Sequence, residues 1–286
     1  MSTVDQFESV FKAAAKTTYQ HEKPTLGKVV LVTDLEDAEA NLFLQSVREF
    51  FSKVLPEGDS EWEVLGRGSY GSVKELLGKV EECRPDLLIT YRNLGSESWR
   101  WPYSLGEHLD VLTQVTTTPV LVLPHPDRED YTELFSHELC NVMAVSGHLC
   151  GEGTLIRYAS TFTPEQGRLI LSHVEDKATL DRYLDAIDKI PEIDSELARE
   201  FLLERMLRDA KDFSESARVG LKEAGREIEV ECKAQVGRRL EDYRKLIEDG
   251  QVDLLVMHAK EEDQMAMHGM AHPLAVELRS VPILLL

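Results

Sequence analysis

The sequence is poor in basic residues: 32 Lys and Arg stand against 52 Asp and Glu, which leaves a formal net charge of −20. No cluster of Lys and Arg interrupts this excess of acid along the chain. A surface of this sign repels nucleic-acid phosphates and anionic lipid headgroups. We therefore expect neither nucleic acid nor a membrane among the partners of this protein.

Cysteines and long apolar runs are also scarce. The four cysteines lie far apart and form no C-x-x-C pair, which is typical of reduced thiols and not of a disulfide framework. No apolar run approaches the roughly 18 residues of a membrane-spanning helix. Asp5 and Glu8 stand where a signal peptide would be basic and then apolar. These absences predict a cytoplasmic protein.

One pattern occurs twice in the chain, over residues 86–123 and 252–286. Each copy begins with an apolar strand-like run, continues through a polar loop to a glycine and a helix-like run, and ends in a second apolar strand. The glycine and the proline that opens this second strand are 13 positions apart in both copies, as 119 − 106 and 282 − 269 show. A repeat of this kind indicates one structural unit used twice.

Short apolar runs alternate with helix-like runs along most of the sequence, after an amphipathic helix predicted over residues 4–20. Strands are predicted over residues 28–34, 62–65, 86–90, 119–123, 141–145, 168–174, 227–232, 252–257 and 283–286. This alternation predicts an α/β fold with a parallel sheet in each half. The first half has four strands and the second five, so about one βα unit is absent from the first.

The glycine-rich run over residues 66–73 reads G-x-G-x-x-G-x-V, which matches the phosphate loop of protein kinases. The kinase lysine strand, the H-R-D catalytic loop and the D-F-G metal site are all missing. A dinucleotide fingerprint would need an acid at the end of a strand about 20 residues further on, whereas Asp86 begins one. The run favours a turn between a strand and a helix, with phosphate contact as the alternative.

The strand-end sequence Val32-Thr33-Asp34, the D-L-L-I run before a loop, and a glycine followed 13 positions later by P-V-L-V resemble the universal stress protein family, in tandem. The resemblance covers nearly all of residues 27–124 and 141–286. It implies two Rossmann-like (HUP-type) domains, with an N-terminal helix and linker over residues 1–26 and a second linker over residues 125–140. It also implies that the last strands of the two domains pair within the chain as a pseudo-dimer.

In nucleotide-binding members of that family an acid after the first strand contacts adenine, and a G-x-x-G … G-[ST] loop holds the phosphates. By this resemblance Asp34 is the adenine residue, with Gly106 as the third glycine of the loop. Tyr91 and Leu94 occupy the first two glycine positions, or Arg92 and Gly95 after a slip of one residue. Glu107 replaces the hydroxyl residue and places a carboxylate where a phosphate would bind. The candidate site for ATP or AMP is therefore Asp34, Arg92, Gly95 and Gly106.

The second copy departs further from the nucleotide motif. Ser146 stands in place of the strand-end acid, and Met270 follows Gly269 in place of a hydroxyl residue. The corresponding loop carries three carboxylates, at Glu261, Glu262 and Asp263. Phosphate binding is disfavoured there.

The same region of the second half contains three histidines, His258, His268 and His272. The last two have the i, i+4 spacing of ligands on a helix, which allows a metal-dependent enzyme as an alternative. The H-E-x-x-H motif of zinc hydrolases is absent, so incidental loop histidines are the favoured interpretation.

Taken together, the sequence predicts a stress-response or regulatory protein of the tandem universal stress type. We expect it to act through contacts with an unknown protein partner, without obligatory ATP binding and without catalysis. An adenine-nucleotide switch in the first domain is the principal alternative. Assembly of whole chains into a homodimer stays open.

Overall fold

The structure is a computed structural model and describes residues 18–101, 104–129, 131–190, 193–260 and 271–286. The predicted N-terminal helix lies almost wholly outside these residues. Strands in the described part of the chain are β1 Lys28–Val32, β2 Glu61–Leu65, β3 Leu87–Tyr91, β4 Val120–Leu123, β5 Asn141–Val145, β6 Arg168–Asp176, β7 Glu229–Gly237, β8 Leu254–Met257 and β9 Ile283–Leu285.

These strands form one sheet in the order β2-β1-β3-β4-β9-β8-β5-β6-β7. Neighbouring strands are parallel throughout except at the centre, where β4 and β9 run antiparallel and Leu121 lies opposite Leu284. The two parallel sheets expected from the sequence are thus present and are joined edge to edge. Pairing these two strands removes the exposed edge that each half would otherwise present.

Helices separate the strands, as the alternating pattern predicts. They are α1 Asp37–Phe50, α2 Val73–Cys83, α3 Glu107–Val115, α4 Tyr131–Leu134, α5 Gly153–Thr161, α6 Lys177–Ile187, α7 Ser195–Glu223, α8 Arg239–Asp249 and α9 Ala271–Glu277, with a 3₁₀ turn over Glu97–Arg100. In the range 125–140, predicted as a linker, the described residues form a single short helix, α4. The four-residue β4 and β8 are apolar and buried at every position, which is the pattern of strands covered on both faces.

The halves differ in size in the way the sequence predicts. From the central β4–β9 pair, the second half continues through β8, β5 and β6 to β7, while the first continues through β3 and β1 to β2. The first half therefore has one strand fewer among the described residues. No helix of the described residues combines the length and apolar composition that crossing a membrane requires.

Candidate functional site

The carboxyl ends of β1 and β3 bring the predicted adenine residue beside a tyrosine. Leu31 of β1 lies opposite Ile89 of β3 in parallel register. The residues that follow them, Asp34 after β1 and Tyr91 at the end of β3, consequently meet at the same edge of the sheet. In open α/β sheets, ligands bind beyond this edge.

Both carboxylate oxygens of Asp34 accept hydrogen bonds from within the chain. The Tyr91 hydroxyl donates to Oδ1, and the backbone N–H of Gly95 donates to Oδ2 at 2.8 Å. The backbone N–H of Asp34 in turn donates to the Tyr91 hydroxyl at 3.1 Å, and the Thr33 hydroxyl lies 3.0 Å from that same oxygen. The side chain predicted to contact adenine therefore holds the loop after β3 against the end of β1.

The electrostatics of this cluster keep its tyrosines protonated. Burial raises the pKa of Tyr91 far above its usual value, and the hydrogen bond to Asp34 raises it further. Burial likewise raises the pKa of Tyr70, whose hydroxyl donates to the carbonyl of Thr33 at 3.2 Å, and the charge of Asp34 adds to that effect. Each tyrosine is thus a hydrogen-bond donor at any physiological pH.

The loop after β3 closes on itself at its base. Asn93 adopts a left-handed conformation (φ 56°), and its backbone N–H donates to the carbonyl of Leu105 at 2.7 Å. Gly106, which precedes α3, has φ 99°, and a Cβ atom there would lie 2.7 Å from the Cα of Asn93. Glycine is needed at position 106 for this close approach, independently of any phosphate.

Arg92 points away from Asp34 and into the second half. Its side chain is 3% exposed, and its terminal nitrogens donate to the carbonyls of Ala275 and Leu278, at the end of α9. Burial lowers the pKa of Arg92 to about 9, and the nearby positive charges of Arg279 and Arg128 lower it further. Its guanidinium acts as a cation at a helix C-terminus, a favourable position for positive charge.

Of the four predicted site residues, the structure brings Asp34 and Gly95 into direct contact. Gly106 lies at the base of the same loop, against Asn93, and Arg92 is turned to the other side. Sequence reasoning missed Tyr91 as a partner of Asp34 and treated it only as a substitute for glycine. The signal available was a tyrosine ending an otherwise apolar strand, beside a strand that ends in Thr-Asp.

The glycine-rich run between β2 and α2 is a turn, as favoured from the sequence. Ser72 caps α2 by accepting a hydrogen bond from the backbone N–H of Glu75 at 3.3 Å. The Glu75 carboxylate in turn accepts from the backbone N–H of Gly71 at 2.7 Å, which completes a reciprocal capping arrangement. A carboxylate therefore uses a backbone donor that a phosphate would need.

The equivalent edge in the second half is also closed by internal contacts. The Ser146 hydroxyl, after β5, donates to Glu152 at 3.3 Å, and the other carboxylate oxygen of Glu152 lies 2.8 Å from Nε2 of His258, after β8. The buried Tyr243 hydroxyl donates to the Ser146 carbonyl at 3.1 Å. Different residue types thus play the part that Tyr91 and Asp34 play in the first half.

The histidines proposed as metal ligands are only partly described. His258 is paired with Glu152. His272 lies in α9 near Asp110 of α3, whose pKa is raised by burial and is lowered in part by this neighbouring histidine. His268 and the acids at 261–263 lie outside the described residues. Within the described part of the chain, no three His, Cys, Asp or Glu side chains are grouped closely enough to hold a metal ion.

No protein-family model matches the sequence, and no curated protein matches it either. Solved structures do match. A universal stress protein from Archaeoglobus fulgidus DSM 4304 is 14% identical, with 90% of this chain and 97% of that chain covered and a TM-score of 0.49. This chain resembles universal stress proteins in structure. The hypothetical protein MJ0577 is 18% identical, with 52% of this chain and 95% of that chain covered and a TM-score of 0.40.

A third structure, of protein PA1789 from Pseudomonas aeruginosa PAO1, is described as functionally unknown. It is 11% identical, with 100% of this chain and 88% of that chain covered and a TM-score of 0.47. At identities this low the similarity concerns the fold, so the function has to be argued from the site itself.

Proposed function

We propose that this protein is a stress-response or regulatory protein of the tandem universal stress type, which acts through protein contacts without obligatory ATP binding. The observation that carries this proposal is the double hydrogen bonding of Asp34 by Tyr91 and Gly95. A nucleotide that used Asp34 would first have to displace these two donors.

Displacing these donors would weaken the binding of adenine to Asp34. A hydrogen bond to a charged group contributes about 1.5–3 kcal/mol, and each 1.4 kcal/mol corresponds to about tenfold in affinity. Breaking either contact without replacement would therefore weaken adenine binding by roughly tenfold to a hundredfold. Glu107 and Asp110, in the first turn of α3, add negative charge where phosphates would bind.

The described residues of the second half offer no better site. At the corresponding edge, the Glu152 carboxylate bonds both Ser146 and His258. This negative charge lies where an anionic ligand would have to enter. With nucleotide binding disfavoured at both edges, contact with a protein partner is the route by which a response would be transmitted. For the metal-dependent alternative, His258 is paired with Glu152, while His268 and the acids at 261–263 lie outside the described residues.

The test is to look for nucleotide carried through purification. Purified protein is denatured by heat, and the supernatant is analysed by ion-exchange chromatography for AMP, ADP and ATP. We expect a supernatant free of adenine nucleotide, and no rise in Tm when millimolar Mg-ATP is added to the folded protein. A stoichiometric nucleotide in the supernatant would overturn the proposal and favour the adenine-nucleotide switch.

A further inference from the structure

A small cleft at the junction of the two halves is lined by positive charge in an otherwise acidic protein. It lies beyond the carboxyl ends of β3 and β4, and residues at the end of α9 close it from the second half. No Asp or Glu is found among the described residues of its lining, although the chain has 52 acids and 32 bases. We name it the arginine cleft; its lining includes Arg92, Asn93, Trp101, His125, Arg128 and Arg279.

The three arginines of this cleft come from distant parts of the sequence. Arg92 directly follows β3, Arg128 lies after β4, and Arg279 lies after α9. Burial lowers the pKa of Arg92, and the charges of Arg279 and Arg128 lower it further, so the three guanidinium groups are close enough to interact. Like charges held this close repel one another, and a negative charge among them would relieve the repulsion.

The buried guanidinium of Arg92 gives a second, independent observation. Its terminal nitrogens donate to the carbonyls of Ala275 and Leu278, whereas its buried Nε has no hydrogen-bond partner among the described residues. In that part of the chain, the charges that act on Arg92 are both positive. A charged group that is only 3% exposed is normally paired with an opposite charge. An anion bound from solution would supply this partner.

The size of the cleft limits which anion it can hold. Its volume is about 10 Å³, which is the room that one particle of the size of a water molecule needs. A tetrahedral phosphate or sulfate is larger, and a nucleotide much larger, so neither fits unless the surrounding side chains move. A halide is a single atom with one negative charge, and it can accept several N–H bonds.

The donors at the cleft suit such an ion. Each arginine carries five N–H groups and no acceptor. Nδ1 of His125 accepts a hydrogen bond from the backbone N–H of Asp127 at 3.2 Å. A neutral His125 therefore carries its proton on Nε2 and is a donor as well.

We propose that the arginine cleft binds a single halide ion, which is chloride under physiological conditions, in contact with the buried guanidinium of Arg92. Arg92 follows a strand of the first half and Arg279 follows a helix of the second. One bound ion thus holds groups from both halves together, beside the β4–β9 pair, and stabilises their junction. This inference does not depend on whether the edge at Asp34 binds a nucleotide.

The response of the Tm to chloride tests the proposal on the full chain. Sodium chloride is compared with sodium gluconate, whose anion is too large for the cleft, at equal ionic strength, so that screening of the net charge of −20 is the same. We expect the gain in Tm from chloride over gluconate to be larger in the wild type than in Arg279→Gln, by about 2 °C or more. Arg218→Gln, which removes the same charge from an exposed pair with Glu215, is the control and should keep the wild-type response.

Anomalous scattering from crystals soaked in sodium bromide locates the ion. We expect one bromide in the arginine cleft of the wild type, in contact with Arg92, and none there in Arg279→Gln. A wild-type cleft without bromide would overturn the proposal, as would a chloride response of equal size in the wild type and in Arg279→Gln. A rise in Tm that is larger with phosphate than with chloride, and that Arg279→Gln abolishes, would show that the cleft holds a larger anion and would also overturn it.

Discussion

At the scale of single residues, a contact between Asp34 and Tyr91, which are 57 positions apart, closes the carboxyl ends of β1 and β3. The Tyr91 hydroxyl both donates to the Asp34 carboxylate and accepts from the Asp34 backbone. Tyr91 is itself fully buried and Asp34 is half-buried, so the hydroxyl end of this contact is shielded from water.

Removing this hydroxyl should destabilise the protein measurably. We expect Tyr91→Phe to lower the free energy of unfolding by about 1–3 kcal/mol, because it leaves polar atoms of Asp34 without their buried partner. Urea denaturation would measure the loss. Tyr183→Phe, at a tyrosine that is 53% exposed on α6, is the matched control and should change little. Equal effects of the two substitutions would contradict the role given to Tyr91.

A second residue-scale prediction concerns Gly106. A side chain there meets two obstacles, a φ of 99° and the backbone of Asn93 at 2.7 Å. Gly58 has a similar φ of 93°, but no atom lies within 4 Å of an added Cβ. We expect Gly58→Ala to cost about 1–2 kcal/mol through backbone strain alone, and Gly106→Ala to cost clearly more. Thermal denaturation of both variants would check that Gly106→Ala lowers stability more than Gly58→Ala does. If Gly106 were needed only for its positive φ, the two substitutions would cost the same.

At the scale of elements, the strands and their order along the chain could be predicted because their apolar runs are short and separated by helical periodicity. The β4 and β9 strands were predicted to pair, and they do. The loop contacts could not be predicted in the same way. Which loop atoms meet Asp34 depends on how β1 and β3 are aligned, and the direction of the Arg92 side chain depends on where α9 ends in the other half.

Arg92 connects two elements from different halves, the end of β3 and the end of α9. We expect Arg92→Met to destabilise the protein by about 1–3 kcal/mol, because the carbonyls of Ala275 and Leu278 lose their donors. Arg218→Met, which removes an exposed pair with Glu215, is the control and should have no measurable effect. A stability of Arg92→Met equal to that of the control would show that the contact contributes nothing.

At the scale of the whole molecule, the β4–β9 pair makes one sheet out of two halves. The paired residues are buried on both strands, with Leu121 and Leu284 fully inaccessible to solvent. Separating the halves would expose these side chains, at about 1.5–3 kcal/mol for each large aliphatic residue. The halves are therefore expected to be coupled in stability.

This coupling predicts a single cooperative unfolding transition. Differential scanning calorimetry should give one peak, with a calorimetric enthalpy close to the van't Hoff enthalpy. Leu284→Asp, in the middle of the shared strand pair, should lower the Tm of that one transition. Two separate peaks in the wild-type protein would mean that the halves unfold independently.

The chain's own hydrogen bonds to Asp34 occupy the strand edge at which a nucleotide would bind. Isothermal titration calorimetry of Mg-ATP into nucleotide-free protein tests it most directly. We expect no saturable heat at millimolar ligand, which corresponds to a Kd weaker than about 1 mM, or less than about 4 kcal/mol of binding free energy. Stoichiometric binding with a micromolar Kd that Asp34→Ala abolishes would contradict it.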